Sequence, residues 1–272
     1  GSDNANDSLT AHLSNVNVNY ILNLVNFHSV EFSGAASGTA SVKGLFASPD
    51  VTAALRVDRF KFIEGRLGTL RANVGWKLSE GQINIKGVTN DTIQGASGLI
   101  PSNTFIDGYV STKHHYIDLG MKLDNTRAEF LGTLCSSFLE NVDLRGNGDL
   151  RLWGDLSKLN LTGDIVTDGM MTIKPTGVRY QVNRGKVHFI ENEIQLPGDT
   201  IIDEYGNRGL VTGAIHHRQM SHITTDIAPH ADHLLAFNTN GADGSNFYGK
   251  VFGTGDITLR SRPGTLDVNM NV

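Results

Sequence analysis

The chain has 272 residues, of which 39% are hydrophobic, 19% charged and 7% aromatic, with 31 glycines against 6 prolines and a formal net charge of −5. That apolar fraction excludes wholesale disorder, and the acidic balance argues against a nucleic-acid binder, which needs a basic face to displace counterions. The lone cysteine, Cys135, excludes an intramolecular disulfide and a zinc site built on cysteines.

No run approaches the roughly 20 apolar residues of a membrane-spanning helix. The start, GSDNANDSLT, has neither the basic nor the apolar region of a signal peptide, and Gly1-Ser2 has the look of a cloning scar. The expectation is a piece excised from a longer protein.

Period-two alternation recurs along the chain and predicts strands with one apolar and one polar face. Val16, Val18, Tyr20, Leu22 and Leu24 share one parity; so do Leu70, Ala72, Val74, Trp76 and Leu78 in LRANVGWKL, then Ile83 and Ile85. Ile117, Leu119, Met121 and Leu123 follow. In TRAEFLGTLCSSFLENV the period changes. Phe130, Leu131, Leu134, Phe138 and Leu139 recur at three- and four-residue steps and predict one short amphipathic helix from about Ala128 to Glu140. Alternation returns with Leu150 and Leu152, Leu159 and Leu161, then Val178, Tyr180 and Val182, and Val187 and Phe189. It closes with Ile257 and Leu259, and Leu266, Val268 and Met270. The connections SEGQ, VNRGK, DEYGNRG and SRPG are short and carry the glycines that tight turns favour.

The alternating units repeat. Setting Gly38 over Gly148 brings Gly44 onto Gly154, Val51 onto Leu161, Thr52 onto Thr162, Leu55 onto Ile165 and Asp58 onto Asp168 without a gap. Setting Gly255 over Gly148 brings Ile257 and Leu259 onto Leu150 and Leu152, and Leu266 and Val268 onto Leu159 and Leu161. The glycines of GNGD (146–149) and GTGD (253–256) precede alternating residues rather than a helix, which reads as a turn entering a strand and not as a phosphate nest.

No catalytic constellation emerges. G-x-S-x-G is absent, since Ser37 in GAASG falls one place late, and Ser136 and Ser137 have no base beside them. In HITTDIAPHADH only His230 and Asp232 have the spacing that puts two ligands on one strand face, and the segment reads as a solvated, turn-rich loop. His114-His115 and His216-His217 are adjacent pairs that alternate faces on a strand, and Asp203-Glu204 beside a glycine turn reads as solvated. The expectation is a protein that is not an enzyme, with no catalytic residue, metal or cofactor.

Many strands with one apolar face each must cover that face, by closing as a barrel, packing as a sandwich or folding over lengthwise to leave a groove. The span from GDLRLWGDLSKLNLTGDI through GVRYQVNRGKVHF and IIDEYGNRGLVTGAI to NFYGKVFGTGDITLRSRPGTLDV resembles the C-terminal domain of the TamB family, within the AsmA-like group, in a form similar to that of Bacteroidetes-type bacteria. The resemblance covers about Phe130–Val272; the first half fits the repeated upstream part of the family more loosely. It implies an all-β fold, a long antiparallel sheet folded lengthwise around an apolar groove (a β-taco), with 1–127 as an upstream repetitive segment and 128–272 as the C-terminal segment. It further implies a periplasmic part of an envelope protein anchored in the inner membrane and meeting an Omp85-family barrel at the outer membrane. Phospholipid acyl chains would travel in the groove, with no nucleic acid involved.

By strand parity the residues expected to line that groove are Leu70, Val74, Trp76, Leu78, Ile117, Leu119, Met121, Leu123, Leu150, Leu152, Leu159, Leu161, Val187 and Phe189. The same residues would equally fill a closed core without a ligand. Competing readings are templating of incoming outer-membrane or secreted proteins at an open sheet edge, and a structural surface β-solenoid.

Overall fold

The computed structural model describes residues 8–24, 31–44, 49–95, 97–218, 221–240, 248–262 and 265–271. Its strands are β1 (Ser8–Asn17), β2 (Phe32–Lys43), β3 (Asp50–Phe62), β4 (Gly65–Lys77), β5 (Gln82–Gly95), β6 (Gly98–Ser111), β7 (Tyr116–Arg127) and β8 (Leu139–Asp155). They continue with β9 (Lys158–Ile173), β10 (Val178–Ile190), β11 (Glu193–Ile202), β12 (Arg208–Arg218), β13 (Ser221–Thr239), β14 (Gly249–Arg262) and β15 (Thr265–Asn271). Two short helices interrupt them, α1 (Val18–Leu24) and α2 (Phe130–Leu134). The fold is all-β, as the alternation implies: 15 strands form one sheet in chain order, each beside its sequence neighbours. Gly1–Ser2, Pro263–Gly264 of SRPG, and the side chains of Leu24, Leu266, Val268 and Met270 lie outside the described residues.

The chain divides into two compact units, Gly1–Arg127 with Asp149–Leu161, and Ala128–Gly148 with Thr162–Val272. In the first, antiparallel register sets the apolar parity into rows. Val51 faces Trp76, Trp76 faces Ile83, Ile83 faces Val110 and Val110 faces Ile117. The next rows carry Val74–Ile85–Gly108–Leu119 and Ala72–Gly87–Ile106–Met121. The opposite face is charged, with Lys86 bridging Asp107 at 3.3 Å and Arg151 holding Asp118 through two hydrogen bonds.

Several expectations need correction. The first alternating run is not one strand, because Val18–Leu24 is helical. Val18, Ile21 and Leu22 also satisfy a helical period, and they pack on Ala36, Val57 and Phe60. The Asn17 side chain caps this helix by accepting the Asn19 N–H at 2.9 Å. The helix expected over Ala128–Glu140 stops at Leu134, and Leu139 already belongs to β8, so strand pairing takes over where Ser136 and Ser137 weaken the helix.

VNRGK is not a turn between two strands. It lies within β10, where Arg184 adopts φ +53° and the register with β9 shifts between Val182 and Gly185. This is a bulge, and similar ones sit at Asn15, Arg59 and His233 beside shifts in β1, β3 and β13. HITTDIAPHADH is likewise not a loop but the body of β13.

GNGD and GTGD also lie inside strands, in β8 and β14. Gly148 has φ +146°, and a Cβ there would sit 2.2 Å from Asp164 O and 2.9 Å from Ile165 Cα. The repeat partner Gly38 opposes Leu55 in the same way, with a virtual Cβ 2.1 Å from Ala54 O. In these two copies the repeated glycine therefore marks close strand approach opposite a bulky apolar residue, whereas Gly255 of the third pairs with Ala231.

Gly148→Ala is expected to cost about 2–3 kcal/mol, from the strained φ and the backbone clash together. The urea midpoint measures it; a midpoint within error of the parent protein sinks this account of the repeat.

Candidate functional site

The second unit encloses an apolar trough of about 180 Å³. Register explains the lining. Phe189 faces Ile194 and Ile194 faces Ile215, while one row along Ile165 faces Val187 and Gly213 faces Ile227, itself opposite Leu259. Ala128, Leu131, Cys135, Phe138 and Leu139, in and around α2, supply a further wall. The polar members of the lining are Thr167, Thr176, Thr225 and Asp199. Asp199 accepts the Lys186 N–H at 2.7 Å at the β10 bulge, and Thr225 bonds Ser261 at 3.0 Å.

The alternate parity of the same strands carries charges. His188 pairs with Asp164, His216 with Glu193 at 3.2 Å, His230 with Asp256 at 2.8 Å and Arg260 with Asp226 at 3.3 Å. Exposed pairs of this kind contribute little stability, but they keep the outer face wet. His217 has the inward parity and is 6% exposed; burial, with the neighbouring His216 adding to it, lowers its pKa. Among the described residues, no three His, Cys, Asp or Glu side chains gather to hold a metal ion.

Beside the trough, β13 is fastened where its ladder with β12 ends. β13 overruns β12, whose pairing ends at Arg208 opposite Asp232, so the next residues of β13 have no ladder partner on that side. Side chains replace it: Tyr180 Oη donates to Leu235 O at 2.7 Å, and Asp203 accepts the Leu235 N–H at 2.8 Å. Asp203 also accepts the N–H groups of Tyr205 and Asn207, each at 2.9 Å, and the Asn207 side-chain amide at 3.0 Å. Burial pushes the Asp203 carboxyl up, but these donors outweigh it and hold it below the usual range. Burial and the Asp203 charge push the Tyr180 phenol up. Asp203 is thus a buried keystone and not a solvated loop residue, which corrects the reading of DEYGNRG.

The expected lining residues fall in both units. Val187 and Phe189 line the trough. Leu70, Val74, Trp76, Ile117, Leu119, Met121 and Leu123 share one face of the first unit, and Leu150, Leu152, Leu159 and Leu161 are buried in it. That face is not wholly apolar, because Leu70 and Leu123 stand in a row with buried Thr89 and Thr104. Leu78 does not face inward: it lies past the end of β4 in a turn and is 41% exposed. The Gly81 N–H bonds Lys77 O at 3.0 Å there, so the chain reverses one residue before the alternation runs out.

Sequence reasoning missed the walls from α2, β12 and β13. The β13 signal was present, since Ile223, Thr225, Ile227, Pro229 and Ala231 alternate with His222, Thr224, Asp226, Ala228 and His230. Small and polar members disguised it.

Asp203→Asn is expected to cost about 2–4 kcal/mol, because a buried charge-assisted acceptor is replaced. The depressed carboxyl contributes stability above its unfolded value of 3.8 that disappears as pH falls through its lower folded value. Unfolding free energy measured from pH 6 to pH 2 is therefore expected to drop more for the parent protein than for Asp203→Asn; parallel curves would rule it out. Burial also raises the Cys135 thiol to about 12, so a thiol reagent at neutral pH is expected to label it only on unfolding.

No family model matches the chain, no curated protein matches it, and no solved structure matches it.

Proposed function

We propose that this chain is a lipid-carrying segment of a bacterial envelope protein, holding acyl chains in an apolar trough with polar groups left at the rim. The observation that carries this reading is the trough of the second unit, apolar apart from three threonines and one hydrogen-bonded aspartate, beneath a charged outer face. Each methylene that leaves water gains about 0.8 kcal/mol, so such a lining takes hydrocarbon with little regard to headgroup. No catalytic step is needed.

The enclosed space is of the order of the ~150 Å³ cavities that hold one small aromatic molecule. It admits a short stretch of chain, and a whole acyl chain requires the walls to part. Leu131, Met171, Ile173, Val211 and Leu259 pack partly buried around the core cluster that borders it.

The order of motifs that resembles the TamB family supports the finer proposal: a periplasmic segment of an inner-membrane-anchored protein, partnered by an Omp85-family barrel and moving phospholipid toward the outer membrane. A second reading is templating of another chain's strand, which a sheet built by adding each strand beside its chain neighbour suits.

Native mass spectrometry with organic extraction, on the chain purified from a bacterium, tests the lipid reading. Co-purifying phospholipid is expected, and Val187→Glu, which places a charge in the trough, is expected to reduce it about tenfold or more while the protein stays folded. A clean apo mass from a well-folded parent protein counts against a carrier and favours the templating edge.

A further inference from the structure

Exposed aromatic side chains gather at one end of the second unit. Antiparallel pairing in chain order puts the starts of β10, β12 and β14 at the same end of this unit's sheet. Asn238 joins the segments there: its N–H donates to Thr176 O at 2.8 Å, and its side-chain amide donates to Glu204 Oε1 at 3.1 Å. Beside this joint Tyr205 and Tyr248 are 51% and 78% exposed, with Val251 and Phe252 exposed next to them. Three of the rings form a cluster. Tyr205 meets Phe252 edge to face at 5.3 Å, and His233 stacks on Phe252 at 5.1 Å. His233 reaches that position through the β13 bulge, where it takes φ +51°. Tyr20 and Phe105, the exposed aromatics elsewhere, have no ring partner among the described residues.

We propose that this end of the second unit docks on the surface of a phospholipid bilayer, with Tyr205, Tyr248 and Phe252 set among the headgroups. The inference goes beyond the carrier reading and does not depend on it. Exposed apolar side chains gathered in one place mark an interaction surface, and rings with a polar tip suit the boundary between hydrocarbon and water. The Lys250 ammonium donates to the Tyr205 hydroxyl and so adds a second polar group at that tip. Charges around the cluster balance, since Lys250 lies 3.8 Å from Glu204 and Arg208 stands opposite Asp232. The patch therefore presents no net charge that would select an acidic or a basic protein, and it matches a zwitterionic headgroup layer. A saccharide stacks on an open ring face, whereas Phe252 is already met by both His233 and Tyr205. Thr176, bonded to Asn238, and its neighbour Pro175 belong to the trough lining, so a bilayer held here lies beside the trough.

Flotation of the full chain with phosphatidylcholine vesicles, and separately with phosphatidylglycerol vesicles, tests this. The parent protein is expected to bind the two to within about twofold, because rings rather than charge hold it. Tyr205→Ser combined with Tyr248→Ser is expected to weaken binding to both about tenfold. Tyr248→Ser alone, at a residue that precedes β14, is expected to weaken it about threefold and serves if the double variant unfolds. Phe105→Ser, at an exposed aromatic of the first unit, is expected to leave binding unchanged. An equal loss in Phe105→Ser, binding to phosphatidylglycerol alone, or undiminished binding in the tyrosine variants overturns the docking surface. So does a parent protein that binds neither vesicle, and the cluster then falls to a protein partner. In each of these cases the carrier reading is decided separately, by lipid extracted from the purified parent protein.

Discussion

A sheet in which every strand pairs only with its chain neighbours has no crossover element to cover its apolar face. Apart from what α1 and α2 cover, the burial must come from the sheet's own curvature, and curvature must be written into the strands. In the second unit, this is the role of the bulges at Arg184 and His233 and of the shift between Leu196 and Asp199. Glycines opposite bulky residues, Gly213 against Ile227 among them, let neighbouring strands approach without a Cβ in the way. Without them the apolar parity would remain a flat, wet face.

That constraint explains what the sequence made legible. Alternation in strands such as β4, β7 and β10 follows directly from a sheet wet on one side and dry on the other. The matching of Gly38 with Gly148 was legible for the same reason, because both sit in hairpins with the same close approach to the next strand. What escaped notice were places where two physical signals coincide. Val18, Ile21 and Leu22 fit a helix as well as Val18, Tyr20 and Leu22 fit a strand, and packing on Phe60 decides between them. A bulge and a hairpin turn draw on the same residues, Asn, Arg and Gly, so VNRGK could not be resolved from composition.

The trough was legible only in part for a different reason. Parity identifies the face on which a residue lies but not which apolar face is enclosed. Val187 and Phe189 were assigned by the same argument as Leu119 and Met121, yet the two pairs belong to different units. The keystone Asp203 was invisible in principle, because its burial depends on β13 being longer than β12 and arriving above the DEYGNRG turn. Nothing local to Asp203-Glu204 states that length.

The β13 overhang shows how this sheet is fastened where its backbone ladder ends. Here, side-chain hydrogen bonds from Tyr180 and Asp203 replace the missing ladder at the overhang. Buried polar groups hold such a joint together because leaving any of them unpaired costs more than the bond itself contributes. Tyr180 and Asp203 therefore tie β13 to β10 and to the DEYGNRG turn across an interval that neither strand parity nor turn composition announces.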